Sequence, residues 1–239
     1  TSEAGALGIS LWASDYTLII RNTINTTADT SDGLDLVNAN FNNIYLNTIT
    51  TSGPLENSGI SSESSHNNTI SSNTIIASGI DSYGILLDKV NFNTISSNTI
   101  IKLGDSGFGV FVYSSNSSTF SSNTITTSGG HGDGGMYFSR ATDNIIHDTN
   151  ISSPGEADIQ TIISGTNIFL NTSYSDESVG SGTTLIRQWY LTVGVTDDSL
   201  NPINAQVDIY NAIGELIFSE QIGNDGMSTR FNTIEYENV

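Results

Sequence analysis

The feature of this sequence that most constrains its fold is a repeat of about 25 residues. The string Asn-Thr-Ile recurs with steps of 25, 26, 25 and 25 residues, starting at Asn22, Asn47, Asn73, Asn98 and Asn123. A glycine column keeps the same register, at Gly8, Gly33, Gly59, Gly84, Gly109 and Gly135. An apolar column does so as well, at Ile19, Ile44, Ile70, Ile95, Phe120 and Ile146. Because the columns share one register, each repeat is predicted to be one unit of a stacked array.

Each repeat contains three short extended segments in which apolar and polar residues alternate with the period of a strand. Inward positions are predicted for Ile85, Leu87, Ile95 and Ile100, and outward positions for Thr94 and Thr99. The sequence therefore predicts an all-β fold, a right-handed parallel β-helix with three strands per rung, over residues 1–186. Asn73, Asn98 and Asn123 fall at the bend into the third strand, where we expect an internal ladder of stacked side-chain amides.

A different pattern begins at about Arg187 and marks a second domain, residues 187–239. Alternating apolar residues form candidate strands there, separated by turn sequences such as Asn224-Asp225-Gly226. This pattern predicts an antiparallel β-sandwich. Only 52 residues run from Gln188 to Val239, whereas a sandwich usually needs about 100. We therefore expect an incomplete sandwich, either because the chain is a fragment of a longer protein or because a neighbouring subunit supplies the missing strands.

The charge balance excludes several classes of partner. Six basic and 25 acidic residues give a net charge of −19. Nucleic acids and anionic membrane surfaces attract clustered Lys and Arg, so neither is an expected partner. No run of 18 apolar residues is present, so no membrane insertion is expected from this segment. The absence of cysteine excludes thiol chemistry, and the acidic surface fits an extracellular protein that stays soluble by charge repulsion or collects divalent cations.

The repeats resemble the parallel β-helix repeat family of NosD-like periplasmic proteins and archaeal surface proteins. The resemblance lies in Asn93-Thr94-Ile95-Ser96-Ser97-Asn98-Thr99-Ile100 and its copies, which cover roughly three quarters of the chain. The segment from Val195 to Tyr210, with Asp225-Gly226, is similar to the carboxypeptidase-regulatory-like domain, which is an Ig-type module. The resemblance implies an extracellular, cell-surface protein and implies no catalytic residue in this chain.

A glycoside hydrolase is the first enzymatic hypothesis, because Gly130-His131-Gly132 matches the Gly-His-Gly motif of the β-helical polygalacturonases. Asp32 and Asp35 also lie in a segment with a weak similarity to their Asn-Thr-Asp sequence. Asp32 and His131 are four rungs apart in the glycine column, however, which is roughly 19 Å at about 4.8 Å per rung. Inverting glycosidases hold their carboxyl groups roughly 6.5–9.5 Å apart. The favoured interpretation therefore places His131 in a glycine-rich surface turn.

A polysaccharide lyase is the second enzymatic hypothesis, and it requires carboxylates for calcium and a basic group that takes a proton. Asp105 and Asp133 occupy similar loops of neighbouring rungs, with Lys102 close by and Arg140 further away. With His131, the two aspartates form a candidate ligand loop, and Ca²⁺ is the one cofactor that it suggests. Because calcium takes about 6–8 oxygen ligands, the set is small, and solvated loop charges are the favoured interpretation.

Two outward columns on the third strand suggest surface functions. A threonine column can bind ice, and its members are Thr23, Thr48, Thr74, Thr99 and Thr124. Thr is also a favourable residue for any exposed strand. Ile76 and Ile101 should stack outward beside this column as a small apolar patch, and such patches mark partner contacts as readily as ordinary surface scatter.

Acceptor sequences for N-glycosylation occur at Asn25, Asn67, Asn116, Asn150 and Asn171. Several would arise by chance in a sequence so rich in Asn, Ser and Thr. The sequence as a whole favours a non-catalytic structural or adhesive module of an extracellular assembly, such as a surface layer or a filament. Self-association or binding to other surface proteins is expected, and glycans are a further partner class. Ice binding and a carbohydrate-binding or carbohydrate-cleaving β-helix, with its groove along the Asp105–Asp133 loops, remain the alternatives.

Overall fold

The structure is a computed structural model, and it describes residue 5, residues 7–130 and residues 132–238. Every regular element in these residues is a β-strand. The strands are, in chain order, β1 (Ile9–Trp12), β2 (Leu18–Ile20), β3 (Thr23–Thr26), β4 (Leu34–Val37), β5 (Asn43–Tyr45), β6 (Thr48–Thr51), β7 (Ile60–Glu63), β8 (Thr69–Ser71), β9 (Thr74–Ala77), β10 (Ile85–Asp88), β11 (Thr94–Ser96), β12 (Thr99–Lys102), β13 (Gly107–Tyr113), β14 (Thr119–Ser121), β15 (Thr124–Thr127), β16 (Asp133–Ser139), β17 (Ile145–His147), β18 (Asn150–Ser152), β19 (Ile159–Ile162), β20 (Thr166–Leu170), β21 (Glu177–Val179), β22 (Thr184–Leu191), β23 (Ala205–Tyr210), β24 (Leu216–Ile222) and β25 (Phe231–Asn238).

The first 21 strands coil into three parallel sheets, because each strand pairs with its equivalents in the rungs before and after it. Sheet A has the order β1-β4-β7-β10-β13-β16-β19-β21, and sheet C has the order β18-β15-β12-β9-β6-β3. Sheet B begins β2-β5-β8-β11-β14-β17-β20 and ends with β22 and β25. The coil makes about six turns, which confirms the predicted parallel β-helix with three strands per rung.

The interior of the coil is filled by the inward residues of the three sheets. Ile85, Leu87, Ile95 and Ile100 have no exposed surface, as predicted, whereas Thr94 and Thr99 are exposed. Burying an Ile or Leu side chain contributes about 1.5–3 kcal/mol each. The repeated apolar columns therefore supply the main stabilising term for a rung, and backbone hydrogen bonds join each rung to the next.

The predicted amide ladder is present at the bend before sheet C. Asn73 Nδ2 donates to Asn98 Oδ1 at 3.0 Å, and Asn98 Nδ2 donates to Asn123 Oδ1 at 3.1 Å. Each amide also satisfies backbone groups, as when Asn98 Nδ2 donates to Ile70 O at 2.9 Å. The structure adds a second buried ladder before sheet B, formed by Asn42, Asn68, Asn93, Ser118, Asn144 and Asn167. These side chains supply hydrogen bonds where the backbone leaves the ladder of strand pairs.

The described chain divides into two compact units, one formed by Thr1–Arg187 with Tyr236–Val239 and the other by Gln188–Glu235. In the second unit β23 and β24 form a two-stranded antiparallel sheet, in which Ala205 pairs with Ile222. The Phe218 and Phe231 rings stack there, with centroids 4.0 Å apart. The predicted change to antiparallel pairing is confirmed, and an Ig-type domain remains a prediction. Among the described residues, no helix has the length and apolar character to span a bilayer.

Candidate functional site

The outward side of sheet A carries a cluster of aromatic rings, which we call the aromatic platform. Its members are Tyr83, Phe108, Phe111, Tyr113 and Tyr137. The Phe111 ring lies at the centre, with its centroid 4.9 Å from that of Tyr83 and 5.0 Å from that of Tyr137. All five side chains are half-buried, so part of every ring faces solvent.

The aromatic rings are not required to fill the core, because apolar residues already occupy the inward positions of the same strands. Leu86, Phe111 and Tyr137 are register partners on the outer side of β10, β13 and β16. In earlier rungs the same column holds Asp35 and Ser61, which are polar. A contiguous apolar patch on a surface is costly in water, and such patches mark binding sites. The change from polar to aromatic along one column therefore indicates a site.

Carboxylates surround the platform on the side of the earlier rungs, and we call this the acidic end. Its members are Asp32, Asp35, Glu56, Glu63 and Asp81. An open cleft of about 420 Å³ joins the two features, because Asp32, Glu56 and Asp81 line it together with Ser58, Tyr83 and Leu86. Tyr83 thus belongs both to the platform and to the cleft, and the two features form one continuous surface.

Asp32 is the carboxyl group of the cleft whose protonation is most altered. Burial raises the pKa of Asp32 to about 6, and the negative charge of Asp35 adds to the rise. Hydrogen bonds oppose it, since the backbone N–H of Ser58 donates to Asp32 Oδ1 at 2.7 Å. The pKa of Asp35 is also raised, mainly by burial. The cleft therefore holds carboxyl groups that take up protons more readily than exposed ones.

Asp32→Asn is expected to stabilise the protein by about 1–2 kcal/mol at pH 8 and to leave its stability unchanged at pH 4. The pKa of about 6 in the folded state lies above the usual 3.8, so the folded chain binds the proton more tightly. The free energy of unfolding of the native sequence therefore falls as pH rises from about 4 to 6, and Asn removes this loss. Urea unfolding at the two pH values measures the difference.

Glu56→Gln is the matched control, because it removes one charge from the same cleft at an exposed position. We expect it to change the free energy of unfolding by less than about 0.5 kcal/mol at either pH. An equal gain for Asp32→Asn at pH 4 and pH 8 would contradict the assignment of the penalty to the ionised carboxylate.

The few basic groups near this surface are already engaged. Lys89 Nζ donates to Asp88 Oδ2 at 3.1 Å and lies 3.9 Å from Glu63 Oε1, and the hydrogen bond to Asp88 raises the pKa of Lys89. Arg140 donates from Nη1 to the Tyr113 hydroxyl at 3.0 Å, and its guanidinium carbon lies 5.7 Å from the ring centroid. Arg140 thus stabilises one edge of the platform.

The structure describes two of the three residues of the candidate ligand loop, Asp105 and Asp133. His131 lies outside the described residues. Asp105 is exposed, and its Oδ1 accepts the N–H of Gly130 at 2.7 Å. Asp133 and Lys102 are both fully buried, with Lys102 Nζ 3.8 Å from Asp133 Oδ1. The interpretation of these two groups as solvated loop charges is therefore wrong, because their side chains point into the coil rather than into a groove.

The separation that argued against a polygalacturonase-like centre is confirmed for the strands concerned. Asp32 precedes β4 and residue 131 precedes β16, and β7, β10 and β13 lie between these strands in sheet A. In the part of the chain that the structure describes, no group of three or more His, Asp or Glu side chains is arranged to hold a metal ion. The Ca²⁺ expectation thus remains a prediction without a described ligand set.

The other surface residues lie as the repeat predicted, and their proposed roles stay predictions. Thr23, Thr48, Thr74, Thr99 and Thr124 are exposed register partners on sheet C. Ile76 and Ile101 are paired beside them and half-buried. Of the glycosylation acceptors, Asn25, Asn67 and Asn150 are exposed. Asn116 and Asn171 are half-buried, and their side chains bond to the Thr142 N–H and to Asp148 Oδ1.

A family model described as periplasmic copper-binding protein (NosD) matches residues 1–196. The chain belongs to the NosD family. The predicted NosD-like repeat is thereby confirmed, and the family's periplasmic description agrees with a location outside the cytoplasm. No curated protein matches the chain in a sequence search.

The residues of this NosD-family chain do not fit a copper centre. Copper is bound by thiolate, thioether and imidazole ligands, and the chain has no Cys, two Met and three His. Met136 lies in the core with no exposed surface. His66 precedes β8, and its Nδ1 accepts the N–H of Asn91 at 3.0 Å. His147 ends β17, which lies three rungs beyond β8 in sheet B, and its Nδ1 is 2.9 Å from Asp148 Oδ2. Soft ligands and paired imidazoles are therefore not brought together in the described residues.

One solved structure supports the fold of this NosD-family chain, and a second aligns at a lower score. The tailspike protein of Dettilon aligns at a TM-score of 0.56 with 16% identity over 85% of this chain and 45% of the tailspike. The A-module of a mannuronan C-5 epimerase from Azotobacter vinelandii aligns at a TM-score of 0.39 with 17% identity, over 70% of this chain and 58% of the module. The chain thus spans less than half of the tailspike's length, and the likeness shows the parallel β-helix alone.

The aromatic platform is the part of the site that the sequence analysis missed. The signal was present, because Phe111 and Tyr137 fall in the same column 26 residues apart, and Tyr83 and Phe108 are 25 residues apart. The inward columns identify the fold, but only the outward columns, read from rung to rung, reveal where polar residues give way to aromatic ones. The acidic end follows from the same columns, since Asp35 precedes Leu86 and Phe111 in one of them.

Proposed function

We propose that this chain is a non-catalytic adhesive module outside the cytoplasm, and that it binds a glycan along the outer side of sheet A. The observation that carries the proposal is the aromatic platform, whose five rings form one connected cluster on the outer side of sheet A next to the acidic cleft. Rings with one solvent-facing side, next to polar groups that fix orientation, are the composition expected of a ligand site.

The surface offers contacts both for the apolar faces of a sugar ring and for its hydroxyl groups. Pyranose rings present apolar C–H faces that pack flat on aromatic rings, and their hydroxyl groups donate to carboxylates or exchange hydrogen bonds with phenol oxygens. Phe111 offers an apolar ring at the centre, while Tyr83 and Tyr137 offer a ring and a hydroxyl group each. Asp32 and Glu56 supply acceptors in the adjoining cleft.

The spacing of the coil suits a polymer that runs along it. Successive strands of sheet A are about 4.8 Å apart, and an extended chain of pyranose rings advances by about 5 Å per residue, so one sugar would meet one rung. The platform occupies β13, β16 and the turn before β10, and the acidic end occupies β4, β7 and the turns before β4, β7 and β10. This length accommodates about five sugar residues.

The charge of the surface selects the class of glycan. Five carboxyl groups form the acidic end, and the chain carries a net charge of −19. A uronate or sulfated glycan would be repelled, whereas a neutral glycan or one with protonated amino groups would not. We therefore assign the surface to neutral glycans or amino-sugar glycans.

Binding is favoured over cleavage by the state of the titratable groups. A lyase needs a basic group of lowered pKa beside the substrate, and the pKa of Lys89 is raised by Asp88. The raised pKa of Asp32 would suit a general acid, so hydrolysis is the outcome that the experiment must separate from binding.

The experiment is a calorimetric titration of the full chain with pentasaccharides of N-acetylglucosamine, glucosamine and a uronic acid, followed by product analysis after long incubation. The expected result is binding of the first two, no binding of the third and no cleavage. Cleavage that disappears in Asp32→Asn would replace the adhesive role by a hydrolytic one. Binding of only the uronate, or of none of these sugars, would contradict the proposal.

A role in self-assembly is the second candidate, and the pair of Ile76 and Ile101 favours it. These side chains are register partners on the outside of sheet C, where the neighbouring outward residues are Thr. A filament or surface layer that uses this patch would be lost in Ile101→Lys. Light scattering of the full chain and of this variant tests the idea, and a monomeric native chain at high concentration would remove it.

A further inference from the structure

The buried pair of Lys102 and Asp133 is an unusual feature of the coil that the proposed function does not use. Neither side chain has any exposed surface, and Lys102 Nζ lies 3.8 Å from Asp133 Oδ1. Long charged side chains are almost never fully buried without compensation, because the transfer of an ion out of water costs several kcal/mol. The pair therefore requires a physical explanation.

The repeat shows that space has been made for this pair. Lys102 occupies an inward column of sheet C whose neighbours are Thr51, Ala77 and Thr127. At the register position of Asp133 the preceding rung has Gly107, where an added Cβ would lie 2.9 Å from Lys102 Cε. An added Cβ at Gly129 would lie 2.0 Å from Asp133 Oδ2. A Cβ at these glycines would also meet backbone carbonyls, Ser82 O at 2.1 Å from Gly107 and Gly104 O at 2.2 Å from Gly129, so only glycine fits beside the pair.

Hydrogen bonds to backbone carbonyls satisfy Lys102, whereas Asp133 has no comparable partners among the described residues. Lys102 Nζ donates to Gly79 O at 3.1 Å and to Gly104 O at 2.5 Å. Among the described residues, no donor lies within hydrogen-bonding distance of either carboxyl oxygen of Asp133, and Lys102 Nζ stands at 3.8 Å from Oδ1. A neutral amine has two N–H groups, which these two carbonyls satisfy, and it keeps a lone pair. An ionised carboxylate would leave two buried acceptors unpaired, which is the costly arrangement.

The environment also acts on the protonation of both groups. Burial lowers the pKa of Lys102, although the charge of Asp133 opposes this, and burial raises the pKa of Asp133, although the charge of Lys102 opposes that. Both directions favour the neutral amine and the neutral carboxylic acid over the ion pair. These are the forms that can condense to an amide.

We propose that Lys102 and Asp133 form an intramolecular amide cross-link between the end of β12 and the start of β16. The Lys102 Nζ lone pair attacks Cγ of the protonated Asp133, so that the Nζ–Cγ bond forms and the bond from Cγ to the hydroxyl oxygen breaks. The hydroxyl leaves as water together with a proton from Nζ. The reaction consumes no oxidant, reductant or co-reactant, and the chain loses one water molecule.

The cross-link would remove the unusual features of the pair. The amide has no charge to bury, its nitrogen keeps one N–H for a carbonyl of the glycine turns, and its oxygen is a single neutral acceptor. It would close a loop from Lys102 to Asp133, so that unfolding of one rung cannot separate it from the next. A module that works outside the cytoplasm gains resistance to unfolding and to proteases in this way.

The test is mass spectrometry of the full chain after denaturation and trypsin digestion. Lys102 is the only trypsin site between Lys89 and Arg140. The cross-linked chain is expected to give residues 90–140 as one fragment, about 18 Da lighter than its sequence. Lys89 is the internal control, because it lies 3.1 Å from Asp88 but is exposed, so trypsin should cut after it completely.

Fragments 90–102 and 103–140 at their full masses would overturn the proposal. A lighter 103–140 fragment with cleavage after Lys102 would also overturn it, because an imide at Asp133-Gly134 loses the same mass but leaves the lysine free. Asp133→Asn keeps the size of the side chain and is expected to yield the joined fragment after loss of ammonia, about 17 Da. Asp133→Ala is expected to restore cleavage after Lys102, and a joined fragment in that variant would contradict the assignment.

Discussion

Asn98→Leu is expected to lower the free energy of unfolding by about 4 kcal/mol, the largest effect that we predict for a single uncharged side chain in the coil. Asn98 Oδ1 accepts the backbone N–H of Asn73 at 2.9 Å and the side-chain N–H of Asn73 at 3.0 Å. Its Nδ2 donates to Ile70 O and to Asn123 Oδ1. Leucine has a similar volume but removes all four hydrogen bonds and leaves the buried backbone N–H of Asn73 without its acceptor, at about 1–3 kcal/mol for each group that stays unpaired.

Thermal and urea unfolding of the full chain measure this effect. Thr99→Ala is the matched control, because Thr99 is the next residue and points to solvent, and its replacement should change the free energy of unfolding by less than about 0.5 kcal/mol. A loss of less than about 1 kcal/mol for Asn98→Leu would contradict the ladder as a source of stability, since water would then be satisfying the freed groups.

Phe111→Ala is expected to weaken glycan binding by at least about 2 kcal/mol, or about 30-fold in affinity. Phe111 is the centre of the aromatic platform, and its ring contacts those of Tyr83, Phe108 and Tyr137. Its removal takes away one stacking surface and also lets the neighbouring rings move. Aromatic anchors at the centre of a site contribute most of its binding energy. Calorimetric titration with the pentasaccharide that binds the native chain best gives the change.

Phe92→Ala is the matched control, because Phe92 is an aromatic residue that is 62% exposed and lies outside the platform. It should bind the same sugar with unchanged affinity. Circular dichroism checks that both variants keep the β-helix. Equal affinities of the native chain and Phe111→Ala would place the sugar elsewhere on the coil.

The fold was predictable from the sequence because its determinants are local and repeated. From Ile19 to Ile146 the inward residues of sheet B are separated from their equivalents by 25 or 26 residues, and this spacing alone aligns the strands of a rung with those of the next. The Asn ladder was predictable for the same reason, since stacked bends place identical amides in contact. The second ladder is harder to recognise because Ser118 interrupts its asparagines.

The candidate site was less predictable because its residue types change from one rung to the next. Asp133 was assigned to a solvated loop, since most charged residues in glycine-rich turns face water. The structure buries it because Gly107 and Gly129 leave room inside the coil and Lys102 extends toward it. Such size compensation involves residues from three rungs, and it becomes visible only when the register of the coil is known. The aromatic platform also becomes visible only when the register is known, because its rings come from neighbouring rungs and face solvent.

The measurement that tests the central claim most directly is a crystal structure of the chain with the pentasaccharide that binds it most tightly. The account predicts sugar rings stacked on Phe111 and Tyr137, with the chain of sugars running across the strands of sheet A and reaching the cleft of Asp32 and Glu56. Sugar bound on sheet B, on sheet C or in the second unit, with the platform left bare, would contradict it.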